Sequence, residues 1–295
     1  MKNDQKHSIS EYLLLDSGNC KKLEQVGQYR IIRPALNAFW KPTLPESEWL
    51  KADATFTRES SGGGIWNWKK KAPDLNAGWA VRWGGVNLMI KPTHFGHLGF
   101  FAEQTSNWAR LRKCVQAMKK EFQPRTLNLF AYSGGATIAM AQGGADVTHL
   151  DASKGIIDWA KKNQELNPET RDHIRWICDD AMKFVAREQR RGSKYNGIVL
   201  DPPSFGRGAQ GQVWKIEEGL EEILRNCRQI LDLSKPYFIL LSCHSQGFSA
   251  YSLGRCLAAV FPEAEKNIVS GEMLIPENTG KALPAGLFAG VFNVI

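Results

Sequence analysis

The text from Thr126 to Asp201 decides the fold: Leu127-Asn128-Leu129-Phe130-Ala131-Tyr132-Ser133-Gly134-Gly135, Val147-Thr148-His149-Leu150-Asp151-Ala152-Ser153, Cys178-Asp179-Asp180-Ala181-Met182 and Ile198-Val199-Leu200-Asp201-Pro202-Pro203-Ser204-Phe205. Each piece is a short apolar run that halts at small or acidic residues. Buried parallel strands look like this when their carboxyl ends open onto a ligand crevice. Ser133-Gly134-Gly135 permits a tight turn into a helix and close backbone approach to a ligand. The three spaced glycines of the dinucleotide fingerprint are absent, which argues against a nicotinamide site. Asp151 closes the second run, where a carboxylate accepts hydrogen bonds from a ribose diol. After the fourth run, two prolines fix φ and supply no N–H. The resulting stiff loop presents acceptors beside Phe205, which suits a flat base bearing an amino group.

Strand and helix patterns alternate around these pieces: strands at 127–130, 147–150, 174–178, 197–200 and 237–242, and helices from Gly135 and at 153–167, 180–191, about 215–231 and 248–260. Such alternation predicts a parallel sheet with helices on both faces. At the end of the chain, 267–275 and 287–294 flank a Pro/Gly-rich loop with no helix between them, and are expected to pair as an antiparallel edge. Upstream, Trp108, Leu111, Val115, Met118 and Phe122 recur at helical spacing after Thr105-Ser106, a candidate N-cap. Before that helix, Trp79/Val81/Trp83 and Val86/Leu88/Ile90 alternate around Gly84-Gly85 and predict a hairpin. Tyr12–Leu15 leads to a turn cluster at Asp16–Asn19, Tyr29–Arg33 is a further strand ended by Pro34, and 41–64 is expected to be an irregular excursion. The expected domains are a β-rich accessory region at 1–104, a linking helix at 105–123 and a catalytic domain at 124–295.

The formal net charge is +8, and it is uneven. Residues 1–123 carry 19 Lys+Arg against 11 Asp+Glu, whereas 124–295 carry 19 of each. Seven of the ten tryptophans also lie before residue 124, beside Lys51, Lys69-Lys70-Lys71 and Arg82. Basic groups interleaved with aromatic rings neutralise phosphates and stack on unpaired bases. The alternative is that the rings fill a small β core and the lysines form a solvated face. Six cysteines without a C-x-x-C pair argue against a disulfide framework or a zinc knuckle. His94 and His97 have no third ligand nearby, so no metal is expected. The polar start, Met1 to Ser10, lacks a secretory pattern, and no apolar run reaches the ~20 residues of a membrane span. A cytoplasmic protein is expected. Arg187, Arg190, Arg191 and Lys194 read as a solvated helix end or a local RNA contact.

On these motifs, the run from Asn128 to about Phe248 resembles the class I S-adenosylmethionine-dependent methyltransferases. It is most similar to the large-subunit ribosomal RNA group that modifies cytosine C5 or guanine N7. Gly96-His97-Leu98-Gly99-Phe100-Phe101-Ala102-Glu103-Gln104 is similar to the lead-in of that group. The resemblance implies a Rossmann-like seven-stranded sheet with its last strand antiparallel, S-adenosyl-L-methionine as cofactor and RNA, ribosomal RNA in particular, as partner. It implies that Asn128, Phe130, Ala131, Tyr132, Ser133, Gly134 and Gly135 wrap the amino-acid portion of the cofactor. Asp151, Ala152 and Ser153 then hold the ribose, and Asp179, Asp180, Ala181 and Met182 the adenine side. One of the Asp179-Asp180 pair also fits a helix N-cap. Asp201, Pro202 and Pro203 form the acceptor lip, with Phe101, Gln104, Ser204 and Phe205 on the substrate side.

In the cytosine-C5 members, a cysteine at the place of Cys243 attacks C6 of the base, and here His244 or a basic group would activate it. The bland alternative makes Cys243 a small buried hydrophobe, which moves the chemistry to nitrogen. Three functions compete: an RNA base methyltransferase, an amine or small-molecule methyltransferase on the same fold, and a non-catalytic RNA-binding protein. The stretch from Gly62 to Lys71 looks like an insertion, and the N-terminal region lacks the separate RNA-binding module that the group often carries.

Overall fold

Alternating apolar residues around tight turns build a sheet in the first part of the chain. The computed structural model describes residues 9–59, 62–75, 77–207 and 213–294, so most of the polar start read above lies outside the described residues. By internal packing the chain divides into two units, 1–102 with 274–284, and 103–273 with 285–295.

The first unit contains β1 (Ser10–Gly18), β2 (Lys21–Val26), β3 (Tyr29–Pro34), the single turn α1 (Glu46–Trp49), β4 (Ala54–Arg58), β5 (Gly64–Trp68), β6 (Trp79–Trp83) and β7 (Val86–Ile90). They form a seven-stranded sheet in the order β5-β4-β3-β2-β1-β6-β7. The expected hairpin is β6 with β7, paired from Trp79↔Ile90 to Trp83↔Val86. Two expectations fail here. Asp16 and Ser17 belong to β1 rather than to a turn, because a bulge between Leu14 and Asp16 turns the Asp16 carboxylate inward. There it accepts from the backbone N–H groups of Thr43 and Leu44 and from the Trp49 indole. The stretch 41–64 likewise holds α1 and β4 instead of being wholly irregular.

Five indoles bond acceptors within this unit, four of them backbone carbonyls and one the Asp16 carboxylate. Trp40, Trp49, Trp66, Trp79 and Trp83 donate to Ser17 O, Asp16 Oδ2, Thr93 O, Val26 O and Ala102 O. Glu24 is fully buried. Arg33 grips it at 2.7 Å through both Nε and Nη2, Tyr12 donates to it at 2.8 Å and Lys22 lies 3.3 Å away. Burial alone raises a carboxyl pKa, but these partners outweigh it and hold Glu24 down at about 2.

The second unit follows the alternating pattern: α2 (Thr105–Lys119), β8 (Arg125–Leu129), α3 (Gly135–Gln142), β9 (Asp146–Asp151), α4 (Lys154–Glu165), β10 (Ile174–Cys178), α5 (Ala181–Arg190), β11 (Gly197–Leu200), β12 (Phe205–Arg207), β13 (Val213–Lys215), α6 (Ile216–Ile230), β14 (Tyr237–Cys243), α7 (Ala250–Val260), and the greater part of β15 (Ile268–Pro276) and β16 (Ala282–Asn293), whose ends at 274–284 belong to the first unit. The helix starts one residue earlier than the Thr105-Ser106 cap implies. Gln104 occupies the N-cap, without a side-chain cap bond, after a 3-10 turn at Ala102–Gln104. The sheet order is β10-β9-β8-β11-β14-β16-β15. The first five strands are parallel, and β16 runs antiparallel to β14 from Tyr237↔Asn293 to Cys243↔Leu287.

Alternation sorts the strand residues between two cores. Leu127, Leu129, Ile198, Leu200, Ile239, Leu241 and Cys243 join α5, α6 and α7. Val147, Val199, Phe238 and Leu240 join α2 and α3. Gly135 opens α3 where Trp108 of α2 crosses it, and a Cβ there would lie 2.3 Å from the indole ring. No helix among the described residues is long and apolar enough to cross a membrane.

Removing Arg33 strands a buried carboxylate, so Arg33→Ala is expected to cost about 3–5 kcal/mol in urea unfolding. Because the folded pKa of Glu24 lies below its unfolded value, its contribution is complete above about pH 4.5 and is lost as pH falls toward 2. Acid titration of stability should therefore be shallower in Arg33→Ala than in the wild type.

Candidate functional site

Register brings the acidic strand ends together. Leu129 pairs Leu150 and Leu200, Leu200 pairs Leu241, and Cys178 pairs Asp151, so the residues that follow share one edge of the sheet. The loop leaving β8 is tightly wound. Phe130, Tyr132 and Gly134 have φ of 55°, 50° and 87°, a left-handed alternation that is uncommon outside glycine and gathers at ligand sites.

Asp151 anchors this loop. Its Oδ2 accepts from Tyr132 N–H at 3.0 Å and its Oδ1 from Ser153 N–H at 2.9 Å, while Leu150 O accepts from Ala131 N–H at 3.0 Å. Burial raises the Asp151 pKa, and the backbone bonds oppose that rise. A carboxylate offers about four lone-pair sites, so two internal bonds leave room for a further donor. Asn163 of α4 donates to Ser133 O at 2.8 Å and holds the loop from outside. Asn128 points the other way. It is buried and donates to Thr137 Oγ1, which lies 2.9 Å from His149 Nδ1. Burial of His149 drives its pKa down to about 3, so the ring is neutral.

The third strand end divides its two acids. Asp179 N–H donates to Asp151 O, and its carboxylate pairs with Arg187 at 2.7 Å. Asp180 is the N-cap of α5 and accepts from Lys183 N–H at 2.9 Å. Ala181 is buried in the core and Met182 packs partly against it, whereas Ala152 and Ser153 are exposed. Of the local basic cluster, Arg187 pairs with Asp179, Arg191 with Glu188, and Lys194 donates to Gln229 O.

At the fourth end the proline lip is braced from within. Pro203 O accepts from the Trp214 indole at 2.7 Å, and the Trp214 ring lies 5.4 Å from Phe130, linking the lip to the β8 loop. The supporting β12/β13 hairpin was not anticipated from sequence. Ser204 accepts a hydrogen bond from Ser245 at 2.6 Å, Pro202 is buried and Phe205 is 53% exposed.

Asp201 is held from two sides. Gln104 Nε2 donates to Oδ2 at 3.1 Å and also to Ser242 Oγ at 2.9 Å, while His244 Nδ1 lies 3.4 Å from Oδ1. Glu103 Oε1 sits 2.9 Å from His244 Nε2. Burial would raise the Asp201 pKa, but the His244 charge and the hydrogen bonds hold it below the usual carboxylate range. Neither Glu103 nor Ser242 was singled out from sequence, since 141 residues separate Glu103 from His244. The one local signal was the adjacency of Glu103 to Gln104 in the lead-in.

Cys243 is not brought to Asp201. Its side chain is fully buried in the apolar cluster with α6 and α7, whereas Ser242 takes the other face of β14 and bonds Gln104. Phe101 belongs to the first unit, where its ring lies 5.6 Å from that of His97.

Because Gly135 is needed by Trp108, Gly135→Ala is expected to destabilise the second unit by at least the about 1–3 kcal/mol typical of overpacking. Thermal melting should show this, and a Trp108→Leu background should relieve it.

Comparison with known proteins matches this edge to one family. Residues 96–249, just over half of the chain, match the model described as S-adenosylmethionine-dependent methyltransferase. The chain is 31% identical over 199 residues to the ribosomal RNA large subunit methyltransferase K/L of Pseudomonas paraeruginosa, covering 66% of this chain and 25% of that protein. It is 30% identical over 159 residues to the ribosomal RNA large subunit methyltransferase I of Aeromonas salmonicida, covering 54% of this chain and 36% of that one. The chain thus spans between a quarter and about a third of the length of these relatives. Its structure is similar to that of a SAM-dependent methyltransferase from Agrobacterium tumefaciens, with a TM-score of 0.88 and 38% identity, covering 97% of this chain and 91% of that one.

Proposed function

We propose a function from one premise: the chain belongs to the S-adenosylmethionine-dependent methyltransferase family. It transfers a methyl group from S-adenosylmethionine to a base in RNA, with large-subunit ribosomal RNA as the substrate class. The observation that carries this reading is the convergence of Asp151, the Phe130–Gly135 loop and the Asp201-Pro202-Pro203 lip on one sheet edge. The names of the matched ribosomal RNA methyltransferases support the substrate class, as does the basic excess before residue 124.

The residues present fit an S-adenosyl group. Asp151 retains acceptor capacity beyond its two backbone bonds and is half-buried, which suits a ribose diol. Phe130, Ala131, Tyr132, Ser133, Gly134 and Gly135 are assigned to the amino-acid portion. Asp179, Asp180, Ala181 and Met182 are assigned to the adenine side, with Asp180 contributing through its place at the helix start. When bound, the cofactor supplies an electrophilic methyl group on a sulfonium sulfur. The chain's own task is to orient the acceptor in line and exclude water.

At the acceptor side, Asp201 accepts a hydrogen bond from an amino group of the base, the proline lip keeps that acceptor in place, and Phe205 offers an exposed ring for stacking. Ser204 and Gln104 brace the same lip. A thiol adduct to cytosine C6 would require Cys243 to leave the α6/α7 core, so transfer without a covalent adduct is the preferred chemistry. In this reading residues 1–104 form the accessory, RNA-facing region and 124–295 carry the cofactor.

Nucleoside mass spectrometry of RNA from cells with and without the gene should reveal one missing methylated base. No missing mark would point to a small-molecule acceptor. Cys243→Ala is expected to retain transfer, whereas abolished transfer with intact cofactor binding would establish the cytosine-C5 route instead.

A further inference from the structure

His244 follows the last residue of β14 and shares the face of Ser242. Glu103, preceding α2, lies at 2.9 Å from one ring nitrogen, and Asp201, following β11, at 3.4 Å from the other. A neutral imidazole has one N–H, and only the imidazolium can donate to both carboxylates. From β16, the backbone of Gly286 closes against the ring so tightly that a Cβ there would lie 3.0 Å from it and 2.5 Å from Met273 Cε. Beside this site lie the Ser242 hydroxyl, which bonds Gln104, and the Met273 thioether, neither of which is a titratable group; Cys243 sits on the opposite face of β14.

We propose that His244 is a positioning residue, clamped as an imidazolium between Glu103 and Asp201, that fixes the Asp201 carboxylate as the acceptor at the proline lip. The inference rests on the reading of that lip as the acceptor side. It assigns a role to Glu103, which reaches Asp201 only through the His244 ring, as the counter-charge that keeps His244 protonated. Burial works against the charge of His244, but the two carboxylates outweigh it and push the pKa up to about 11. Without the ring, Asp201 would lose the counter-charge that offsets its burial, and burial alone raises a carboxyl pKa. A protonated Asp201 presents a donor where the base needs an acceptor.

Nitrogen-15 spectroscopy of the imidazole rings tests the clamp without any substrate. Both ring nitrogens of His244 should remain protonated from pH 6 to pH 9 in the wild type, and Glu103→Gln should lower the pH of its titration by about 1–3. Transfer is measured with tritiated S-adenosylmethionine and RNA from cells lacking the gene. His244→Gln is expected to lower kcat at least about tenfold while S-adenosylhomocysteine binding, read by calorimetry, stays unchanged. Glu103→Gln should lose activity along the titration of His244 as the pH rises. Gly286→Ala, which displaces the ring without removing it, should lower kcat by a smaller factor.

A wild-type His244 that titrates near pH 6.5 overturns the proposal, and so does an unchanged kcat in His244→Gln. If the wild type transfers no methyl group to RNA, the RNA reading fails, and the wild-type and Glu103→Gln titrations then decide the clamp by themselves.

Discussion

One carboxylate fixes the geometry on which the site depends. Asp151 accepts backbone N–H groups from the loop after β8 and from the turn after its own strand, so two strand ends are pinned to a single side chain. Backbone bonds of this kind cost little entropy once the sheet is in register, because the strands already hold the donors in place. The left-handed residues Phe130 and Tyr132 are tolerated for the same reason, since the Ala131 and Tyr132 N–H bonds over-determine the loop between them. Each loop residue is thereby placed before any ligand arrives.

A second carboxylate repeats the device with side chains. Asp201 is braced by Gln104 and His244 rather than by backbone, and Gln104 reaches Ser242 in the same stroke. Both carboxylates stand at ends of parallel strands, but their electrostatics differ. Burial moves Asp151 upward, while the His244 charge and the hydrogen bonds outweigh burial and move Asp201 downward. The edge therefore carries one acid held by the fold and one held by a neighbouring cation.

Much of this was legible in the sequence. Buried parallel strands announce themselves as short apolar runs, and four of the expected strands fall on the buried β8, β9, β11 and β14, while the fifth falls on the half-exposed edge strand β10. The hairpin at Trp79–Ile90 was legible because alternation and a Gly-Gly turn agree. Asp16 misled because an acid beside Ser-Gly-Asn reads as a turn, and only the distant Thr43, Leu44 and Trp49 donors make an inward carboxylate affordable in a strand. The β12/β13 hairpin escaped because its strands are three residues each, too short for any period to show. The contact of Glu103 with His244 joins positions that no local pattern relates. The tryptophans illustrate the limit from the other side: their number suggested stacking on bases, and five of the indole N–H groups prove to be tied to acceptors within their own unit.

The central claim is that the Asp151 edge receives S-adenosylmethionine, and titration calorimetry of the wild type and Asp151→Ala with S-adenosylhomocysteine tests it most directly. The account predicts saturable heat at one ligand per chain in the wild type and at least about a tenfold loss of affinity in the variant, equal to about 1.4 kcal/mol. No heat in the wild type, or equal affinity in a folded Asp151→Ala, would contradict it.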